Sequence, residues 1–182
     1  AVLLKHPDTF ANTDHSISIS SKVIDCLEDI NGEVQNQAVL ALPLFISKYT
    51  DQADTVFKSL ISLLRKPNGA TRDVATTALK SIISQATSNK ITRLIAVILI
   101  PELIQINIEY KTSRDKAESE EAAREITIPQ ESLDILLECI DHFSSIGINI
   151  SSVEIQEQIT EIALWYLKSD MGGLRKKSIT LI

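Results

Sequence analysis

The sequence predicts an all-α protein, a stack of antiparallel helix pairs that forms a segment of a right-handed α-solenoid. Two observations lead to this prediction. Aromatic residues make up 4% of the 182-residue chain, and Gly and Pro number five each, fewer than sandwiches and barrels usually need for their turns and strands. A helix–turn–helix pattern also recurs, and each helix pair must stack on the next to bury its apolar faces.

The recurring pattern is clearest in three segments. They read VIDCLEDINGEVQNQAVLAL at 23–42, LISLLRKPNGATRDVATTAL at 60–79 and EIALWYLKSDMGGLRKKSITLI at 161–182. In each segment, an anchor residue begins the second helix and Gln or Arg follows it directly. A small residue lies three positions after the Gln or Arg. The anchors are Val34, Thr71 and Leu174, and a weaker copy begins at Ile128.

The spacing of these anchors predicts how the array is divided. The first and last intervals suit a two-helix repeat of roughly 40 residues, and the middle interval is about 20 residues too long. The charged segment at 109–127 supplies the excess, and it is interpreted as a loop or partly disordered insertion, with a solvated helix as the alternative. The chain is predicted to be one array with these parts: the end of a truncated repeat at 1–14, repeats at 15–50 and 51–86, a repeat with the insertion at 87–146, and a repeat cut short at 147–182.

The first helix of the pattern is predicted from apolar residues at every fourth position. Ile19, Val23 and Leu27, with Ile24 beside them, give it one apolar face. The string SISIS at 16–20 alternates like a strand but has no partner nearby. It is therefore interpreted as an N-cap region that leads into the helix.

The second helix places apolar and small residues on one face. Val34, Ala38, Ala41, Phe45 and Tyr49 are predicted to face the core. The small side chains at 38 and 41, like those at 75 and 78 in the next copy, let two helices approach closely. This face therefore predicts the packing between helices of the array.

Turn-forming residues separate the helices of each pair. The turns DINGE at 29–33 and RKPNGA at 65–70 hold Asn and Gly with Asp or Pro, which favour helix ends and turns. Pro43 and Pro101 lie inside predicted helices, where each should remove one backbone hydrogen bond and bend the helix. Such bends set the curvature of a solenoid, so a structural role is sufficient for both prolines.

Charge and composition limit the possible partners and compartments. The net charge is −6 and basic residues are scattered, which argues against a nucleic-acid partner. Cys26 and Cys139 are predicted to be buried free thiols, which suits the cytoplasm or the nucleus. The apolar run from 94 to 106 contains Glu102 and Gln105, so it is interpreted as a buried helix rather than a membrane span.

The sequence offers no pattern for catalysis, a metal or a cofactor. His6, His15 and His142 have no partner at metal-ligand spacing and are predicted to face solvent. The carboxylates at 25, 28 and 29 and at 118, 120 and 121 lack a shaped cleft and are interpreted as solvated charge. The protein is therefore predicted not to be an enzyme.

The spacing of apolar, Gln or Arg, and small positions resembles the HEAT repeat, a unit of two antiparallel helices. This resemblance implies that the second helices line the concave side of the array. It also implies that Gln35 and Arg72, at the Arg position of the repeat, bridge neighbouring repeats.

Candidate partner-binding residues lie on two surfaces. Gln37, Leu40, Leu44 and Lys48 share a second face of the helix at 33–48, where the two leucines would either contact a partner or, as preferred, pack on the next repeat. The other candidates are Arg175, Lys176 and Lys177, the only basic cluster. That cluster would meet an acidic partner surface or simply begin a solvated helix.

A closer resemblance is to the cullin-associated, neddylation-dissociated protein family. CLEDINGEVQNQAVLALPLFISKY at 26–49 is similar to its second repeat, ATRDVATTALKSII at 70–83 to the following repeat, and LRKKSIT at 174–180 to part of the fifth. The order and spacing match as well. The resemblance covers 20–85 well and 128–182 loosely, and the insertion at 109–127 and Pro43 depart from the family pattern.

This resemblance implies a specific role. Proteins of the family wrap around an un-neddylated cullin and its RING subunit and exchange the substrate-receptor modules of cullin–RING ubiquitin ligases. This chain would correspond to N-terminal repeats, from late in the first to within the fifth, which lie near the cullin C-terminal region and the RING subunit. It would help shield the neddylation site, and adaptor exchange would need the remaining repeats of the solenoid. The alternative is a generic HEAT scaffold or a transport-receptor-like protein.

Overall fold

A computed structural model of the chain describes residues 13–86, 88–119, 130–148, 152–169 and 171–181, and all regular structure in these ranges is helical. The predicted all-α class is therefore confirmed. The α-helices are α1 (Thr13–Asp25), α2 (Gly32–Lys48), α3 (Ala53–Leu64), α4 (Gly69–Ser84), α5 (Asn89–Leu94), α6 (Ile100–Asp115), α7 (Gln130–Ser145), α8 (Val153–Tyr166) and α9 (Gly172–Leu181). Short 3₁₀ segments occupy Cys26–Glu28 and Thr50–Gln52.

The chain divides into two compact units, residues 1–99 and 100–182. In the first unit, α1 packs on α2 and α3 on α4, while α1 also contacts α3 and α2 contacts α4. In the second unit, α6 packs on α7 and α8 on α9, with further contacts between α6 and α8 and between α7 and α9. Each of these eight helices thus packs on its pair partner and on the equivalent helix of the other pair in its unit, the nearest-neighbour packing of a solenoid.

The small residues of the pattern lie where the helices meet. Ala38, Ala75, Ser132 and Ser178 occupy equivalent positions in the four copies, and all four are buried. Ser178 Oγ donates to Leu174 O at 2.8 Å, so the buried hydroxyl is satisfied within its own helix. The burial of these side chains agrees with the predicted close approach of helices, which stays a prediction.

The predicted turns are confirmed, and their asparagines cap the helices that follow. Asn31 Oδ1 accepts from Glu33 N at 2.9 Å, and Asn68 Oδ1 accepts from Ala70 N at 3.0 Å. At the end of α7, Gly147 has φ of 69°, and the amide of the next residue, Ile148, donates to Phe143 O at 2.9 Å. This is a Schellman ending, in which the left-handed residue favours glycine.

Two details of the first pair differ from the prediction. The SISIS string lies inside α1, which begins at Thr13, because a helix forms despite the local alternation once it can pack on α2 and α3. On α2 the buried side chains are Ala38, Val39, Leu42, Pro43, Phe45 and Ile46. The predicted face is therefore correct for Ala38 and Phe45, whereas Val34, Ala41 and Tyr49 are only half-buried.

The apolar run forms part of a longer helical segment than the sequence suggested. Residues Asn89–Asp115 are long and apolar enough to cross a membrane by length and composition, and half of the most apolar stretch is buried inside the protein. Core helices of soluble proteins meet the same criterion, so the observation is weak evidence for a membrane span. A π-helical turn at Ile95–Leu99 precedes Pro101. Proline lacks the N–H that would bond four residues back, and the wider turn accommodates this loss.

The segment at 109–127 is helical where it begins. α6 continues to Asp115, and Tyr110 is buried within it, so the loop interpretation is wrong for 109–115. Residues 116–119 form an irregular turn, and 120–127 lie outside the described residues. The boundaries of the repeats stay a prediction.

Candidate interaction surfaces

Three side chains at the same position of the repeated pattern hold the turns. Gln35 Nε2 donates to Asp29 O at 2.8 Å, Arg72 Nη1 to Lys66 O at 3.0 Å, and Arg175 Nη1 to Ser169 O at 2.6 Å. In each case the acceptor is the carbonyl six residues earlier, in the turn of the same helix pair. Since these carbonyls lie past a helix end, they need partners from outside their own helix.

The prediction that Gln35 bridges neighbouring repeats is wrong, because its amide bonds within its own pair. The turns of the first two pairs are instead joined by an ion pair, in which Lys66 Nζ lies 2.6 Å from Glu28 Oε1. Arg72 also donates to Pro67 O at 2.7 Å. It therefore fixes the backbone of the turn that carries Lys66.

Replacing Arg72 by Ala is expected to lower the free energy of unfolding by about 1–2 kcal/mol, because two backbone carbonyls of the turn lose a charged donor. Lys at this position should restore only part of the loss, since an ammonium group lacks the planar fork of guanidinium. Urea unfolding would measure both variants. Arg93→Ala, on the exposed side of α5, is the matched control, and an equal loss there would contradict the turn-holding role.

The predicted surface on α2 is exposed to solvent. Leu40 and Leu44 are 61% and 51% exposed, so the preferred interpretation, that they pack on the next repeat, is wrong. Gln37 and Lys48 are exposed at the two ends of the same face, and Gln37 Nε2 donates to Glu33 Oε1 at 3.0 Å. The four residues form an apolar pair with polar ends, which we call the α2 face.

The three residues of the basic cluster at the start of α9 differ in their contacts. Arg175 holds its turn through Ser169 O, and Lys177 forms an ion pair with Asp134 of α7. Lys176 is exposed. Two of the three cations therefore have structural partners within the second unit.

A buried polar network in the second unit was not predicted from the sequence. Asn107 is 1% exposed, and its Nδ2 donates to Leu103 O at 2.7 Å and to Ser132 Oγ at 3.0 Å. Tyr166 Oη donates to Asn107 Oδ1 at 2.9 Å. The network joins α6, α7 and α8, and its only sequence signal is a lone Asn among apolar residues.

The surroundings of the Tyr166 phenol favour its neutral form. Burial raises the pKa of Tyr166 well above its usual range, nearby Tyr110 adds to the rise, and the Arg114 guanidinium partly opposes it. The phenol therefore remains a donor to Asn107 at alkaline pH as well as at neutral pH, where any tyrosine is protonated.

Next to this network, three aromatic rings line an open cleft of about 280 Å³. The Tyr110 and Trp165 ring centroids lie 5.6 Å apart, edge to face, and Trp165 and Tyr166 lie 5.0 Å apart. Arg114 and Lys168 contribute cationic side chains to the lining, and Asp115 contributes a carboxylate. We call this site the aromatic cleft; the sequence analysis missed it because its residues come from two helix ends that are far apart in the chain.

The carboxylate and histidine side chains of the described residues do not form a cluster that could hold a metal ion. Within the described ranges, no three His, Cys, Asp or Glu side chains are arranged to hold a metal ion. Asp29 Oδ1 accepts from Asn31 N at 2.8 Å, so this carboxylate serves the turn. The prediction that His142 faces solvent is wrong at one atom, because its Nε2 is buried without a hydrogen-bond partner among the described residues. The side chains of His6 and His15 lie outside the described residues.

The two thiols differ in their surroundings. Both cysteines are free, Cys139 is fully buried and Cys26 is half-buried, so the prediction of burial is correct only for Cys139. Burial, together with the nearby carboxylate of Glu138, raises the pKa of Cys139 far above its usual range. Its thiol is therefore protonated and unreactive at neutral pH.

Comparison with known proteins supports the resemblance seen in the motifs. No protein-family model matches the sequence. The chain is 26% identical over 162 residues to Cullin-associated NEDD8-dissociated protein 1 of Drosophila melanogaster. The matched region covers 88% of this chain and 12% of that protein. The chain thus spans about an eighth of the length of this relative. The all-helical structure and this similarity confirm the resemblance and support a HEAT-type helical scaffold.

Proposed function

We propose that this chain binds the core of an un-neddylated cullin–RING ubiquitin ligase, through the cullin C-terminal region and the RING subunit. The observation that carries the proposal is the similarity to Cullin-associated NEDD8-dissociated protein 1 along 88% of the chain. In this role the chain is a non-enzymatic scaffold segment that supports the exchange of substrate-receptor modules. Exchange itself requires further repeats of the same solenoid.

The surface chemistry agrees with a protein partner. Leu40 and Leu44 expose two adjacent apolar side chains on one face of a well-packed helix, and a protein partner that covers them would bury this apolar area. The best-matching stretch, at 26–49, contains the whole α2 face. We therefore propose that the α2 face makes part of the contact, with Lys176 as a second, peripheral contact.

We also propose that the protein is located in the cytoplasm or the nucleus. Both cysteines are free, which suits the reducing conditions of the cytoplasm or nucleus. Fluorescent labelling of the native protein in its own cells tests this assignment.

Calorimetry with a purified cullin C-terminal region and its RING subunit tests the binding. The chain should bind the unmodified complex and lose binding once the cullin is neddylated. A segment of a larger clamp binds more weakly than the whole, because linked contacts raise the effective concentration of one another. The titration is therefore repeated with the further repeats restored, and absence of binding there would leave a generic scaffold as the function.

Replacing Leu40 and Leu44 together by Gln is expected to weaken this binding at least tenfold, about 1.4 kcal/mol, with little change in stability because both side chains are exposed. The control is Val97→Gln, which removes an apolar side chain that is 63% exposed elsewhere in the first unit. Equal weakening by the control would show that the α2 face has no special part.

A further inference from the structure

We propose that the aromatic cleft is a docking site for an acidic segment of a protein partner, which inserts a Glu or Asp carboxylate beside an apolar neighbour. The cleft lies wholly within the second unit and shares no residue with the α2 face. The inference therefore does not depend on the identity of the cullin partner.

The cleft concentrates side chains that are rare in this chain. The protein has one Trp and three Tyr, and Trp165, Tyr110 and Tyr166 all line this site. Tyr110 and Tyr166 are almost fully buried and stack at 6.2 Å. The half-buried Trp165 is thus held against a rigid base, which is how aromatic anchors operate in protein interfaces.

The polar lining is rich in unused donors. Arg114 Nη1 donates to Tyr110 Oη at 3.2 Å, which leaves other guanidinium N–H groups for a ligand. Within the described ranges, neither the Lys168 ammonium nor the Trp165 indole N–H donates to a protein acceptor. Two cations and a neutral donor therefore border one concave site, and a carboxylate is the group they suit.

Charges of the opposite sign limit the strength of the site. Asp115 borders the cleft, and α6 and α8 both end there, so their C-terminal carbonyls carry partial negative charge. Arg114 and Lys168 outnumber the one carboxylate in the lining. On one flank, Lys111 and Glu161 neutralise each other, with Nζ and Oε1 2.5 Å apart.

The cleft is small. Its volume of about 280 Å³ is close to the lower end of the range usual for small-molecule sites, about 300–1,000 Å³. One or two side chains of a partner fit this space. The turn that forms one wall is fixed, because Arg175 Nη1 donates to Ser169 O, so the site exists before a partner arrives.

The single tryptophan makes the proposal directly testable. The intact protein is titrated with the peptide acetyl-Leu-Glu-Leu-amide while Trp165 fluorescence is recorded, and the same peptide with Gln in place of Glu is the matched ligand control. We expect a saturable change with the Glu peptide and at least tenfold weaker binding of the Gln peptide.

Variants assign the response to the cleft. Lys168→Gln and Arg114→Gln should each raise the dissociation constant at least fivefold, whereas Asp115→Asn should lower it about twofold by removing the opposing charge. Lys176→Gln changes the net charge equally and should leave the response unchanged. Lys168 is exposed, so its variant tests the site without risk to folding.

Any of these peptide results would overturn the proposal: no saturable response to the Glu peptide, equal binding of the Gln peptide, or the same response in the Lys168 variant. Titration with inorganic phosphate separates peptide docking from capture of a free anion. Phosphate that binds as tightly as the Glu peptide would also overturn the proposal, because the apolar neighbours and Trp165 would then contribute nothing.

Discussion

Replacing Asn107 by Leu should lower the free energy of unfolding of the second unit by about 3 kcal/mol, although the new side chain is apolar and of similar size. The reason is that Leu cannot form the hydrogen bonds of the Asn107 amide, so its buried partners lose those bonds. Tyr166 Oη would lose its acceptor at 2.9 Å, and a buried donor left without an acceptor costs about 1–3 kcal/mol. The bond of 3.0 Å from Asn107 Nδ2 to Ser132 Oγ would be lost as well, which adds to this cost.

A double-mutant cycle separates the network from simple loss of packing. Tyr166→Phe alone should cost about 1–2 kcal/mol, because Asn107 Oδ1 then lacks its donor. Combining it with Asn107→Leu should cost less than the sum of the two single changes by at least about 1 kcal/mol, since neither half of that bond remains to be left unpaired.

Urea unfolding followed by fluorescence of Trp165, which lies next to Tyr166, reports on this unit. Tyr49→Phe is the control, because Tyr49 lies in the first unit at the half-buried end of α2. Strictly additive effects of the two changes would show that the network carries no coupling energy.

Asn107 also shows where sequence reasoning ends. Periodicity predicted the helix pairs and the small positions, because a repeated pattern gives each unit several independent copies of the same evidence. The buried network around Asn107 has no second copy in the part of the chain that the structure describes. Asn107 and Tyr166 are 59 positions apart in the chain, so only the packing of α6 against α8 brings them together, and the same holds for the aromatic cleft.

The exposed surfaces were predicted in part. Spacing placed Leu40 and Leu44 on one face of α2, and the structure agrees, but spacing does not show whether a neighbouring helix covers that face. The basic cluster was visible as adjacent letters, yet its partners were not, since Asp134 belongs to another helix pair. The helical start of the charged segment was missed because Tyr110 is one buried residue in a polar stretch, and packing outweighs local composition there.

The second large effect is expected at Ala75, which is fully buried on α4 where this helix packs on both α2 and α3. Ala75→Leu should lower the free energy of unfolding by about 3 kcal/mol, because the added carbons have no space between closely packed helices. Ala75→Ser should cost less than about 1 kcal/mol. Two copies of the pattern already carry Ser there, and Ser178 Oγ satisfies itself by donating to Leu174 O four residues earlier.

The informative quantity is the difference between the unfolding free energies of the Ala75→Leu and Ala75→Ser variants. Helix propensity favours Leu over Ser, so a larger loss with Leu can come only from the limited space at the crossing. Thr77→Leu places the same side chain on the exposed side of the same helix and should change stability by less than about 0.5 kcal/mol. Thermal and urea unfolding of the three variants measure the effect. If Ala75→Leu were tolerated as well as Ala75→Ser, the distance between the helices would not depend on the small residue, and the repeated small position would need another explanation.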